Sequence, residues 1–477
     1  VNNTIRPSRN SNFGLSQSKI NSLYAFGQFS YKGAFYIDWT ARNDWSSTLS
    51  PDNWSFFYPS VSASAVLSEV LDLPDALSFL KVRGSWAQAG NSGGPYQIFG
   101  TYNLGAFRSF TTARFSDRIP FEDLQNELTE SIEFGLEAAF FNGRLTLDAT
   151  YYNASTTNQI LSATVSRSSG FSSQLINAGE VVNQGFEFLI AGSPIRTDNG
   201  FNWDVSFNFA ANRPEVVSLS EGIERLRTGA GDRNVDVFAD VGDRFGNIYS
   251  RNYWLRDEAG NRLIDGDTGL PIRQSGAVLI GNALPDWTGG LRNSFSYKNV
   301  SLSFLLDISQ GADIYSQSNM YMSLYGTGAW TEEGREGDYV ADGIIANLQA
   351  DGSYVSTGQQ NNIQVNAQDY WLTAAPASTQ AITEEFLYDG SYIALREVVV
   401  GFTFPQAIVE KTPFRSLKLS LVGRNLGYLQ NNVPGVAPDA YIFNRNTAGG
   451  GSGVGLGIEN NSFPIARTFG FDLNIGF

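Results

Sequence analysis

The chain has 477 residues, with 32 lysines and arginines against 47 aspartates and glutamates, a net charge of −15, 49 glycines, and neither cysteine nor histidine. The two missing residue types exclude disulfides, thiolate chemistry, histidine-ligated zinc and every Ser-His-Asp or Cys-His catalytic arrangement, and the negative charge repels a phosphate backbone, so nucleic acid is not an expected partner. No run approaches the roughly 18 consecutive apolar residues of a membrane-crossing helix, and Val1 reads as an internal beginning, either after removal of a leader or within a longer polypeptide.

Apolar residues, 42% of the chain, are spread thin and alternate with polar ones, which is the period of a β-strand. Leu23, Ala25, Phe29 and Tyr31 lead to a Lys32-Gly33 turn, and Phe35, Ile37, Trp39 and Ala41 return. Val61, Ala63, Ala65 and Leu67 pass through a compact connection to Leu80, Val82 and Trp86. Ile132, Phe134, Leu136, Ala138 and Phe140 reach Asn142-Gly143, which supplies the positive φ angles a tight hairpin demands, and Leu145, Leu147, Ala149 and Tyr151 follow. Phe186 to Ile190, Trp203 to Phe209, Trp287 to Tyr297, Val300 to Ile308, Val398 to Phe404 and Leu417 to Leu421 repeat the pattern. The chain closes on Phe469, Phe471, Leu473, Ile475 and Phe477, all of one parity.

This predicts roughly thirteen or fourteen strands, most near the 9 to 11 residues of a tilted bilayer-crossing strand. Short turns near 32, 143, 299 and 405–415 alternate with long loops at 91–128, 157–182, 213–285, 310–388 and 427–462. That imbalance is the layout of an outer-membrane barrel with its short turns in the periplasm. Opposite the apolar rows stand Asp38, Arg42, Arg83, Glu133, Glu137, Asp148, Asp204, Lys418 and Arg424, so the inner face is wet, the reverse of a soluble barrel with a dry core. The fold class expected is all-β: a transmembrane antiparallel β-barrel of the outer membrane, whose terminal strand, Phe469 to Phe477, faces lipid, guides insertion and closes against a strand nearer the start.

Several phrases, in order, resemble the SusC/RagA-type TonB-dependent outer-membrane transporters: "FFYPSVSASAVLSE" (56–69), "LKVRGSWAQAGN" (80–91), "ELTESIEFGLEAAFFNGRLTLDATYYNASTTNQIL" (127–161), "IGNALPDWTGGLRNSFSYKNVSLSFLLD" (280–307), "LYDGSYIALREVVVGFTFP" (387–405) and "FPIARTFGFDLNIGF" (463–477). The resemblance implies a barrel of about 22 strands with a plugged lumen, a SusD-like surface lipoprotein that lids the mouth, and a TonB complex that pulls on the plug. It implies import of large nutrients, an oligosaccharide or a peptide. In the family the plug, the domain before it and the first strands lie upstream, so residues 1–477 read as the C-terminal portion of such a barrel. A passive porin or an adhesin-like barrel without a plug stays open as an alternative.

For such a carrier, chemistry means binding by aromatic faces and convergent polar groups. The long loops offer Tyr102, Phe107 and Phe110; Tyr253 and Trp254; Tyr325 and Trp330; Tyr370 and Trp371; Tyr441 and Phe443. Packing of loop against loop, or a place in the interfacial aromatic girdle, explains the same rings. Asp257, Asp265 and Asp267 stand among glycines as oxygen ligands for a structural calcium, but without the spacing of a Ca²⁺ loop, and a solvated hairpin tip accounts for them better. The glycine run at 448–457 lacks the Lys-Ser/Thr of a phosphate loop. The adjacent pairs Glu332-Glu333 and Glu384-Glu385 are poorly placed as acid and base. No catalytic residue, cofactor or enzymatic activity is expected.

Overall fold

Period-2 alternation produces one dominant element. The computed structural model describes residues 16–107, 110–220, 222–230, 234–376, 380–439, 456–462 and 464–477, and thirteen strands form a single antiparallel sheet in which each strand pairs with its neighbour in order. They are β1 (Ile20–Tyr31), β2 (Phe35–Ser46), β3 (Ser55–Val66), β4 (Leu77–Asn91), β5 (Glu127–Phe140), β6 (Leu145–Thr157) and β7 (Glu180–Arg196). Then follow β8 (Phe201–Ser218), β9 (Trp287–Tyr297), β10 (Val300–Gln310), β11 (Tyr392–Thr403), β12 (Ser416–Asn431) and β13 (Thr468–Gly476).

The tightest turns, at 32–34, 141–144, 197–200 and 298–299, fall at one end of the sheet and the longest loops at the other. At the short-turn end, Lys32 and Gly33 have φ of 53° and 65°, and Asn142 and Gly143 have 57° and 79°. These left-handed pairs turn the chain within loops of three residues between Tyr31 and Phe35 and four between Phe140 and Leu145.

The faces divide as alternation requires. On the outer face Phe134, Phe186, Leu421, Phe469 and Phe471 are exposed. On the inner face Arg83 of β4 reaches across β5 to β6, pairing with Glu137 at 2.7 Å and Asp148 at 2.8 Å. Gly135 lies between Arg83 and Thr150 in register, and a Cβ there would strike the Arg83 guanidinium, so glycine clears the path. One inner-face pair departs from the polar pattern: Tyr24 and Phe26, in register with Arg42 and Thr40, are 64% and 75% exposed with rings 6.4 Å apart.

The dry core lies outside the barrel wall. The loops between β8 and β9, between β10 and β11, and after β12 fold together into a lobe. Its framework is a four-stranded sheet of Arg225–Ala230, Val235–Asp240, Asn247–Trp254 and Arg273–Asn282, with helices α1 (Gln317–Leu324) and α2 (Ala367–Ala374). Val235, Ile248, Tyr315, Met320, Phe386 and Ile458 fill one centre, and Trp254, Ile264, Tyr370 and Ile382 a second.

The terminal strand β13 pairs with β12 along Ser416 to Arg424, and among the described residues it does not pair with β1. The thirteen strands alternate in direction, so β1 and β13 run the same way and could join only by a parallel ladder in an otherwise antiparallel sheet.

Candidate functional site

The lobe and the inner wall meet in a cleft built around α1. Ser316 caps the helix, accepting from the Asn319 amide at 3.1 Å. The fully buried Glu459 carboxylate takes the Ser316 and Ser318 hydroxyls, both at 2.7 Å, and the Ser462 amide at 2.9 Å. A carboxylate suits the positive end of a helix, and here it ties α1 to the segment that leads into β13. Spacing by four places Tyr321 and Tyr325 one turn apart on the open face, rings 6.3 Å apart and 12° from parallel. Gly326, with φ 62°, ends the helix. Trp330 backs this ledge, donating Nε1–H to Ser323 Oγ at 2.8 Å and packing on Gly435.

The upper cavity, about 840 Å³, is lined by Ser318, Tyr321, Tyr325, Thr327, Asn461 and Ser462 among others. Ser462 Oγ is buried there with no hydrogen-bond partner among the described residues. A second cavity of about 440 Å³ shares Gly435, Val436, Ala437 and Pro464 with the first and runs down to Arg396, Tyr428 and Arg467. Arg396 bridges Asp307 at 2.6 Å and Asp439, and the Tyr428 hydroxyl donates to Asp439 at 2.5 Å. Both carboxylates thus spend the Arg396 charge on tying the loop around Asp439 to the wall. Arg467 has no ion pair among the described residues. The cleft therefore offers stacked rings, neutral hydrogen-bonding groups and one open guanidinium, a surface for a polar, extended ligand.

The candidate aromatics separate by burial. Tyr325, 71% exposed, lines the cleft, and Trp330 supports it from behind. Trp254 and Tyr370 are corrected from ligand candidates to core: both are buried, and Trp371 packs half-buried against them. Trp254 Nε1–H donates to Glu385 at 2.9 Å, and the Arg262 guanidinium lies 4.8 Å over its ring. A loop lobe this large needs its own apolar centre, and the biggest rings supply it. Tyr253 is half-buried on the strand beside Trp254. Tyr102 is exposed on a separate hairpin, its ring 5.1 Å from Phe115. Phe107 and Phe110 fall on that hairpin's strands. Tyr441 and Phe443 lie outside the described residues, as does most of the glycine run at 448–457.

Four of the acidic candidates, Glu384, Glu385, Asp257 and Asp265, have structural partners. Glu384 and Glu385 pair with Arg256 and Arg262. Burial pushes the Glu385 carboxyl above its ordinary range, against the pull of Arg262 and Trp254. Asp257 Oδ1 accepts from the amides of Ala259 and Asn261, and hydrogen bonds led by the Asn261 side chain hold it below the usual carboxylate range. Burial raises Asp265, but Thr268, Tyr354 and the Asp267 amide outweigh it and leave it lowered. These two carboxylates are engaged in locking turns, and Asp267 contributes its amide to one of them. Among the described residues no three acidic side chains converge on a metal position.

Sequence reading missed Tyr321, Ser318, Tyr428 and Arg467. The signal for Tyr321 was its spacing of four from Tyr325, hidden because one helix of two turns inside a long loop has too few periods to register.

A family model described as "TonB dependent receptor-like, beta-barrel" matches residues 1–426. TonB-dependent receptor P3 of Formosa agariphila is 26% identical over 97% of this chain and 46% of its own length. TonB-dependent receptor SusC of Bacteroides thetaiotaomicron is 25% identical over 95% of this chain and 43% of its own. In structure, the chain resembles the RagAB peptide importer in its "closed-closed" state, with a TM-score of 0.72 at 18% identity over 96% of this chain and 48% of that one. The chain spans less than half the length of these relatives.

Proposed function

The chain belongs to the TonB-dependent receptor-like β-barrel family of the outer membrane, and from that membership we propose that it forms the ligand-contacting part of an importer of large nutrients, oligosaccharides or peptides. The family is one of receptors and transporters, not enzymes. The observation that carries the proposal is the continuous cleft from the Tyr321–Tyr325 ledge in the lobe to Arg467 beside the inner wall. It supplies a path from outside to lumen lined by groups that grip polar chains without fixing one chemical identity.

The related SusC and the RagAB peptide importer support a partner of the same kind: a SusD-like lipoprotein closing over the lobe, with Tyr325 at the rim of the cleft it covers. Transport is energised by a TonB complex acting on a plug, and further strands between β13 and β1 complete the wall. The test is calorimetric titration of the full-length transporter with a panel of neutral oligosaccharides and a panel of peptides. Tyr321→Ala and Tyr325→Ala each weaken the ligand that binds by about two- to tenfold, the worth of a ring contact of about 0.5–1.5 kcal/mol. Affinities unchanged in both variants would remove the cleft from the binding path.

A further inference from the structure

A third cavity, about 450 Å³, lies on the other side of the wall, lined by Tyr151, Gln184, Phe186, Ala211, Arg213 and Arg244 among others. Register fixes its orientation. Phe186 pairs with Tyr151 and Ala211, and Gln184 with Arg213, so these side chains share the face of Phe188, Phe207 and Phe209. That is the lipid face. Tyr151 and Phe186 have rings 4.8 Å apart, and Phe188, Phe209 and Trp287 continue the aromatic band at 4.7 Å and 5.5 Å.

Directly beyond that band, towards the long loops, come Gln184 and Arg213. Arg213 stands four residues above Phe209, roughly 13 Å along the strand at 3.3 Å per residue, beyond an aromatic band of the kind that flanks the apolar zone of outer-membrane barrels. Its side chain is exposed and has no ion pair or hydrogen bond among the described residues. Arg244 enters from the lobe, its Nη atoms held by Asp286 at 2.7 Å and the Pro285 carbonyl at 2.6 Å. Its Nε is buried without a partner among the described residues. Two carboxylates stand near: Asp286 is engaged by Arg244, and Glu215 sits two residues farther from the bilayer than Arg213. The Arg213 charge is left open over exposed rings.

We propose that this cavity binds the phosphorylated headgroup of an outer-leaflet lipid, with Arg213 taking the phosphate, Arg244 held beside it by Asp286 and Pro285, and the Tyr151–Phe186 rings carrying the apolar part. A guanidinium fork matches phosphate oxygens two at a time, and Gln184 adds a neutral donor. A soluble protein ligand would not need apolar rings immersed beside the charge; an amphiphile needs both, at this height. The site rests on the outer-membrane placement of the sheet and not on the import reading, so either can fail without the other.

The experiment uses the full-length transporter, delipidated in mild detergent and titrated with mixed micelles of diphosphorylated lipid A, with the dephosphorylated lipid, and with inorganic phosphate, bound lipid being counted by native mass spectrometry. The phosphorylated lipid is expected to bind. The dephosphorylated lipid and Arg213→Glu are each expected to weaken binding by about tenfold or more, the scale of a lost charge-assisted hydrogen bond, and inorganic phosphate to compete only weakly. Equal binding of the two lipids would reduce the site to an ordinary apolar annulus. Competition by inorganic phosphate as strong as by lipid would make it a soluble-phosphate site. Either result overturns the proposal, as does unchanged binding in an Arg213→Glu variant that retains heat-modifiable folding. The wild-type lipid comparison stands whether or not the variant folds.

Discussion

Glu385 shows what one buried charge does to the lobe. It is held by Trp254 and Arg262, and burial nevertheless raises its pKa above the unfolded value. The folded lobe therefore binds this proton more tightly than the unfolded chain does. Between the two pKa values stability falls as pH rises, and the contribution of the protonated form is fully present only below the ordinary carboxylate range. Glu385→Gln keeps an acceptor for Trp254 without the charge. It should flatten the pH dependence of amide-exchange protection at Trp254 and Ile264 above pH about 4.3, the reference value for glutamate; protection that varies with pH as steeply in the variant as in the wild type would assign the effect to another group. The neighbouring lesson concerns rings. Tyr325 and Trp254 were equivalent as aromatic loop residues, yet one is exposed at the cleft and the other is core. Which ring a lobe buries depends on how three distant loops converge, and no local pattern records that.

At the scale of the element, the strands were the legible part. The alternation of Phe469, Phe471, Leu473, Ile475 and Phe477 predicts an outward apolar row, and β13 presents it, with Phe471 opposite Leu421 and Asp472 opposite Ser420 on the inner face. Phe471→Arg should cost about 2–4 kcal/mol if the residue lies near the bilayer midplane, seen as a loss of the heat-modifiable folded band. Asp472→Asn, one residue away on the wet face, should leave the band unchanged. Equal loss in both variants would mean that β13 does not face lipid on one side. Turn chemistry was legible for the same reason as the strands: Lys32-Gly33 and Asn142-Gly143 act through their own φ angles. Helix α1 was not, because its end is fixed by Glu459, more than a hundred residues away in sequence.

Across the whole molecule, among the described residues, the sheet has two open edges, β1 and β13, both running the same way. Unpaired edges in a membrane leave backbone donors and acceptors in hydrocarbon, a cost only closure removes. We therefore expect further strands to lie between them in the assembled barrel. In the full-length protein, cysteines at Ser30 and Asn474, both near the short-turn end and on the inner face, should form no disulfide with each other. A rapid, quantitative cross-link would show that these thirteen strands close on themselves.

The sequence by itself determined the alternation, the lipid-facing and wet faces, the tight turns and the inequality of loops, because each follows from a period of two or from a residue's own backbone preference. Only the tertiary structure decided that the long loops share one core, that Tyr321 and Tyr325 stack over a cleft reaching Arg467, and that Arg213 stands beside Arg244 outside the wall. Those are contacts between segments far apart in the chain, made by packing and buried charge, and neither leaves a local period to read.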